Sequence, residues 1–194
     1  IYRDLDASAA LGRAEDLAQR AGNALSYRQL QRWRGEVALR ASATSRAIHH
    51  FEEALKLAQT HGSADVATYC GCLAAAHAAA GGRAKSLDYI ERGLAQTYKE
   101  EVHDLYNSVA EAYHMLALPD EARRYALMAY KNAWADGPPY VWWWSLKRAK
   151  ATLDALGVPY PDMPKFDANK VGKFPHQDAV YAVIERERNK RKDS

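Results

Sequence analysis

Cysteine is nearly absent: the chain has only Cys70 and Cys72. Two positions apart on a helix, they point about 200° away from each other and cannot bridge. A disulfide scaffold is excluded, and a reduced, cytoplasmic setting is expected. No apolar run approaches the roughly 18–20 residues that a membrane span needs. No signal peptide is visible, because the first stretch carries Arg3, Asp4, Asp6, Arg13, Glu15 and Asp16. An excess of one charge is also missing. The 27 basic and 24 acidic residues leave a net +3, with both signs mixed along the chain. That is too small to argue for nucleic acid or membrane.

Chemical motifs are equally scarce. His49 and His50 are adjacent and diverge, and His103 and His114 lie three turns apart, too far for one ion. The cysteines lack partners at zinc spacing, so no metal and no cofactor is expected. Gly81-Gly82-Arg83-Ala84-Lys85-Ser86 has the outline of a phosphate loop. The glycine before the lysine is absent and no strand precedes it, so it reads as an inter-helix turn. No nucleophile elbow or pair of catalytic carboxylates stands out, and an enzyme is not expected. The basic tail Arg186, Arg188, Lys190, Arg191, Lys192 alternates with Glu185, Glu187 and Asp193. It reads as a solvated helix end that frays, and not as a nucleic-acid patch.

What the chain does have is alanine and a recurring pattern. With 194 residues and 48% apolar content it can bury a continuous core, and its alanines point to close helix-on-helix contacts. Ala47-Phe51-Ala54, Ser86-Ile90-Gly93 and Ala122-Ala126-Ala129 share one i, i+4, i+7 spacing. Ala14-Ala18-Ala21 is a fainter echo. Each triplet sits in the second half of a helix-turn-helix unit.

Gly and Pro divide the units. Ser26-Tyr27-Arg28-Gln29 has the form of a capping box that opens a helix through Arg40. After a turn at 41–45, helices are predicted at about 46–59, 64–79, 83–98, 99–117, 119–135, 140–156 and 176–190. Ser63 and a second capping box, Thr97-Tyr98-Lys99-Glu100, mark two of the starts. Trp142, Leu146, Ala149, Leu153 and Leu156 form a predicted buried stripe. From Gly157 to Pro175 four prolines, Pro159, Pro161, Pro164 and Pro175, predict an extended, irregular stretch. The last helix, with Ala179, Val180, Ala182, Val183 and Ile184 on its apolar side, is expected to fold back over the open end of the stack.

At these residues the chain resembles the tetratricopeptide repeat family, whose unit is two antiparallel helices with small and aromatic residues at set positions. The unit starting at His103 fits best, with Tyr106, Val109, Ala110, Tyr113, Ala117, Ala122 and Ala129 in place and Ala126 departing. The unit from Ala67 supplies Leu73, Ala74, His77, Gly81, Ser86, Ile90 and Gly93. The unit from Arg28 supplies Gly35, Ala47, Phe51 and Ala54, while Arg34 departs. The physics agrees, because one helical pair cannot bury its own apolar face and neighbours must stack.

The resemblance implies an all-α fold: a right-handed α-solenoid of antiparallel helix pairs, with an extended Pro-rich segment and a C-terminal capping helix. Repeats are placed over 1–157: a partial one at 1–25, then units near 26–62, 63–98 and 99–136, and a terminal helix at 140–156. The extension and capping helix occupy 158–194. The partial first unit suggests a piece of a longer solenoid.

In that family the inner helices line a concave groove. The matching positions are Gln29, Arg32, Glu36 and Leu39, then Thr68, Gly71, Ala75 and Ala78, then Asp104, Asn107, Glu111 and His114. Two readings of the small-residue floor stand. It admits an extended peptide or helix closely, or it serves tight packing and is filled by the chain's own C-terminal segment. One subgroup clamps the acidic C-terminus of chaperones. Here those positions hold Arg32, Glu36, Cys72, Asp104 and Ser108, and the two carboxylates would repel such a ligand.

Trp142-Trp143-Trp144 spans about 200° of a helix, so the three rings cannot share a face. Trp142 belongs to the stripe. Trp143 or Trp144 either packs on the Pro-rich segment near Tyr160, Phe166 or Phe174, or is an exposed binding aromatic.

The function expected is a protein- or peptide-binding module, the scaffold or sensor arm of a larger bacterial signalling protein. Its partner would be a protein or peptide, or other domains of the same longer chain, with no nucleic acid and no membrane. The alternative is a structural module that self-associates into an oligomer.

Overall fold

The structure, a computed structural model, describes residues 7–96, 102–167 and 177–190. Among them are nine helices and no strand: α1 Ala7–Arg20, α2 Ala24–Arg40, α3 Thr44–Thr60, α4 Val66–Ala79, α5 Arg83–Ala95, α6 His103–Met115, α7 Pro119–Trp134, α8 Trp143–Ala155 and α9 Gln177–Lys190. Helices pack in neighbouring pairs, α2 on α3, α4 on α5 and α6 on α7, and α4 lies along α6. The described helices are none of them long and apolar enough to cross a membrane. The chain forms two compact units, Ile1–Pro164 and Lys165–Ser194.

One turn recurs. At six helix ends a backbone N–H reaches the carbonyl five residues back: Asn23 to Ala18, Ala43 to Ala38, Ser63 to Ala58, Gly82 to His77, Leu118 to Tyr113 and Val158 to Leu153, all at 2.8–3.0 Å. The residue before each donor is left-handed, with φ between 55° and 76°. This is the Schellman closure, which satisfies carbonyls that a helix end leaves open. Between paired helices it produces turns so short that the partners must run antiparallel. Glycine fills four of the six left-handed sites, whereas Ser42 and Ala117 fill the other two and bear the cost of a Cβ there.

Short turns bring the paired helices close, and small residues let them touch. All three triplets are buried: Ala47, Phe51 and Ala54; Ser86, Ile90 and Gly93; Ala122, Ala126 and Ala129. The Phe51 ring lies where a Cβ on Gly35 would be, so α2 and α3 meet at that glycine. The Ser86 hydroxyl donates to the Ala74 carbonyl at 2.8 Å, tying α5 to α4. A Cβ on Gly93 would stand 3.1 Å from Leu105 and 3.2 Å from the Ala67 carbonyl, so α5 also touches α6. Of the fainter echo only Ala18 is buried; Ala14 is half-buried and Ala21 exposed. Helix α4 is buried all round from Val66 to Ala78 except at Thr68, and it joins the cores on either side.

Several local expectations change. Asn23, not Ser26, caps α2: its side chain accepts the Ser26 N–H at 3.0 Å. Both are good capping residues, and the Schellman turn at Gly22 decides by releasing the chain there. Ser63 accepts the Asp65 N–H at 3.2 Å just ahead of α4. The capping box at 97–100 lies outside the described residues.

Trp142 is not buried. It precedes α8 as its cap, is 50% exposed, and donates its N–H to the Ala133 carbonyl at 2.8 Å. That bond holds the backbone and turns the indole outward over His103, with ring centroids 5.0 Å apart. The stripe is Leu146, Ala149 and Leu153, with Leu156 half-buried. Trp143 and Trp144 are 60% and 65% exposed.

The stretch from Val158 is irregular, and Val158 and Met163 pack on the core. Tyr130 and Trp134 of α7 hold it: Tyr160 stacks on Tyr130 at 5.8 Å, and the Trp134 indole donates to the Pro164 carbonyl at 2.7 Å. Phe166 belongs to the second unit, and Phe174 lies outside the described residues. In that unit α9 carries Val180, Tyr181, Val183 and Ile184 exposed.

Two substitutions at equivalent turns should act in opposite directions. Ala117→Gly should raise the unfolding free energy by about 0.5–1 kcal/mol, and Gly81→Ala should lower it by about 1 kcal/mol. Urea denaturation with unchanged slope checks both. Gly35→Ala should cost about 1–2 kcal/mol because the Phe51 ring must move. In that background Phe51→Leu should cost less than it does in the wild type.

Candidate functional site

Stacking places α2, α4, α6 and α8 side by side. The helix between α2 and α6 carries small side chains at its centre, with Gly71, Cys72 and Ala75 buried and Thr68 half-buried. A Cβ on Gly71 would stand 3.0 Å from Leu105 and 3.2 Å from the Ser108 Cβ, so α4 and α6 are nearly in backbone contact there. Because α4 has so little bulk, Arg32 on α2 reaches across it and donates to Asp104 on α6 at 2.6 Å. The same guanidinium donates to Glu36 at 3.0 Å.

Asp104 is the junction of the face. Besides Arg32 it accepts the Ser145 hydroxyl of α8 at 2.5 Å, and the His103 Nδ1 lies 3.4 Å away. Asn107, fully buried, donates to the Ser145 carbonyl at 2.9 Å. Further along, Arg148 of α8 grips Glu111 with two hydrogen bonds, at 3.0 and 2.8 Å, and donates to Ser108 at 3.1 Å. The two-pronged geometry is the stronger form of ion pair.

The protonation states follow from these neighbours. Burial opposes the charge on Asp104, but the nearby His103, the Arg32 guanidinium and the Ser145 hydroxyl outweigh it. They hold the carboxyl well below the usual carboxylate range. Burial also opposes the charges on Arg32 and Arg148. For Arg32 the carboxylates of Asp104 and Glu36 prevail, and for Arg148 that of Glu111 does, so both stay firmly cationic. Burial pushes the Cys72 thiol up to about 11 despite Arg32 beside it, so it is a neutral filler at pH 7.

The groove positions thus divide. Arg32, Glu36, Asp104 and Glu111 are brought together and paired within the protein. Gly71, Ala75, Ala78 and Asn107 are buried between helices. Gln29, Leu39 and Thr68 are half-buried, and His114 is exposed. Among the described residues, no group of three or more His, Cys, Asp or Glu could hold a metal ion.

Sequence reasoning missed Ser145 and Arg148, because α8 was read only for its buried stripe. A signal existed: Cys72, Ser108 and Arg148 each lie nine residues before a left-handed turn residue, Gly81, Ala117 and Gly157. The face can present paired charge at fixed positions, and its strongest acid and bases are locked ionised. Comparisons with protein-family models, curated proteins and solved structures found no match for this chain.

Asp104→Asn should cost about 2–3 kcal/mol by leaving Arg32 short of a partner in a mostly dry site. The depressed pKa sets the sign with pH. The Asp104 contribution is fully present above about pH 4, the unfolded carboxylate's range, and is lost as pH falls toward the folded value. Stability measured from pH 7 to pH 3 should therefore fall less steeply in Asp104→Asn than in the wild type.

Proposed function

We propose that the chain is a tetratricopeptide-like, right-handed solenoid that binds a protein or peptide partner on the inner face of α2, α4, α6 and α8. It serves as the scaffold or sensor arm of a larger bacterial signalling protein in the cytoplasm. In this reading residues 158–194 form the Pro-rich extension, and α9 takes the capping role that a repeat array needs at its end.

One observation carries the assignment. Half-buried charges from α2, α6 and α8 are gathered on one face, and Arg32 and Asp104, which pair there, lie 72 residues apart in sequence. Rows of fixed, alternating charge give specificity by matching a partner's potential. A partner with mixed charge suits this face, and an all-acidic tail does not, because Glu36, Asp104 and Glu111 would repel it.

The charge swap Glu111→Arg with Arg148→Glu keeps the pair and inverts its polarity. Affinity capture with the wild type, the swap and an outer-face control, Lys56→Ala, tests the assignment. Proteins retained by wild type and control should be lost from the swap, and retention by all three would sink the inner-face reading.

A second reading, self-association, is favoured by the exposed Tyr140, Trp142, Trp143 and Trp144 at the α7–α8 connection. Apolar patches of that kind mark contact surfaces on soluble proteins. Light scattering after size exclusion should show mass rising with concentration if this reading holds, and a constant monomer mass would exclude it.

A further inference from the structure

We propose that the α7–α8 surface built around Tyr130 and Trp134 is a binding site for extended proline-rich peptides, and that residues 158–164 occupy it as a tethered ligand. The inference is independent of the inner-face reading, since it uses a different surface and different residues.

The occupant has the chemistry of a peptide ligand. Its sequence, Val158-Pro159-Tyr160-Pro161-Asp162-Met163-Pro164, has proline at three of seven positions. Proline fixes φ and pushes the preceding residue into extended backbone, so such a segment loses little entropy when it docks.

The seat has the chemistry of a receptor for it. Tyr130 and Trp134 stack on one another at 6.0 Å, and Tyr160 stacks on Tyr130 at 5.8 Å. The Trp134 indole donates to the Pro164 carbonyl at 2.7 Å. Asp154 accepts the Tyr160 hydroxyl at 2.6 Å, and the Lys150 ammonium stands 5.3 Å from the Tyr160 ring centre. An aromatic shelf with an indole N–H aimed at a proline-segment carbonyl is the way folded domains read extended proline-rich chains. Aromatic-flanked proline is therefore the specificity element.

The contact is also built to exchange. Val158 and Met163 are the segment's anchors in the core, while Pro159, Asp162 and Pro164 are exposed and Tyr160 is 44% exposed. The Val158 N–H closes the α8 turn on Leu153, so the segment is hinged at its start and held beyond it by side chains. A tethered ligand has a high effective concentration, so a free peptide competes poorly until the segment is loosened.

The test uses the full chain and a labelled synthetic peptide, Gly-Val-Pro-Tyr-Pro-Asp-Met-Pro. In a chain carrying Tyr160→Ala and Met163→Ala, the peptide should bind at least tenfold more tightly than to the wild type. Adding Trp134→Phe should weaken that binding about tenfold through the lost N–H donor. A peptide with alanine for its tyrosine should bind no better than a scrambled one. Failure of the peptide to bind the loosened, still helical chain overturns the proposal, as does binding indifferent to Trp134→Phe. Should the loosened chain not fold, the wild type decides. At a large excess of spin-labelled peptide, the NMR resonance of the Trp134 indole N–H should broaden, and an unbroadened resonance overturns the site.

Discussion

Close approach between helices is the constraint on which the structure rests. Wherever two helices must meet, one of them lacks side-chain volume: Gly35 against Phe51, Gly71 against Leu105 and Ser108, Gly93 against Leu105 and the Ala67 carbonyl. Ser86 meets α4 through a hydrogen bond to a backbone carbonyl. Near-contact of backbones gives dispersion and burial without long side chains, which suits a chain so rich in alanine. It also leaves no slack. A protein interior packed this tightly transmits a misplaced methyl to its neighbours.

The charged face is a consequence of that packing. Were α4 bulky, Arg32 could not cross it to Asp104, and the network of Arg32, Glu36, Asp104, Ser145, Arg148, Glu111 and Ser108 would fall into separate surface pairs. Surface pairs contribute little, whereas a mostly desolvated network of paired charges is costly to break. The network joins α2 to α6, which otherwise meet only through α4, and adds to the direct contact between α6 and α8, so it orders the stack as well as colouring its face. A face assembled this way is stiff, because moving any one charge strands another.

The fold was legible where local signals agreed. The triplets marked second helices, Gly81 marked a turn and Gly157 a helix end, because only glycine sits in the left-handed region without penalty. Ser42 and Ala117 adopt the same conformation against their nature, so those turns had no glycine to announce them. Asn23 and Ser26 were both good caps, and the turn before α2 chose between them. Trp142 fitted a helical stripe by spacing, but a backbone bond to Ala133 placed it before the helix with its ring outside. Of the candidate site, Arg32, Glu36, Asp104 and Glu111 were named from the groove positions that the repeat resemblance implies, while Ser145 and Arg148 were not. Pairing across α6 and α8 depends on helix order in space, which spacing within α8 does not encode.

By itself, then, the sequence determined the helices, most of their ends and the small-residue faces on which they meet, because those follow from local periodicity and turn chemistry. Only the tertiary structure decided who pairs with whom. It set Arg32 against Asp104, Arg148 against Glu111, and Tyr130 and Trp134 against the proline segment. The physical reason is that a charge or a ring finds its partner by distance through space, and stacking brings together residues that the chain itself keeps far apart.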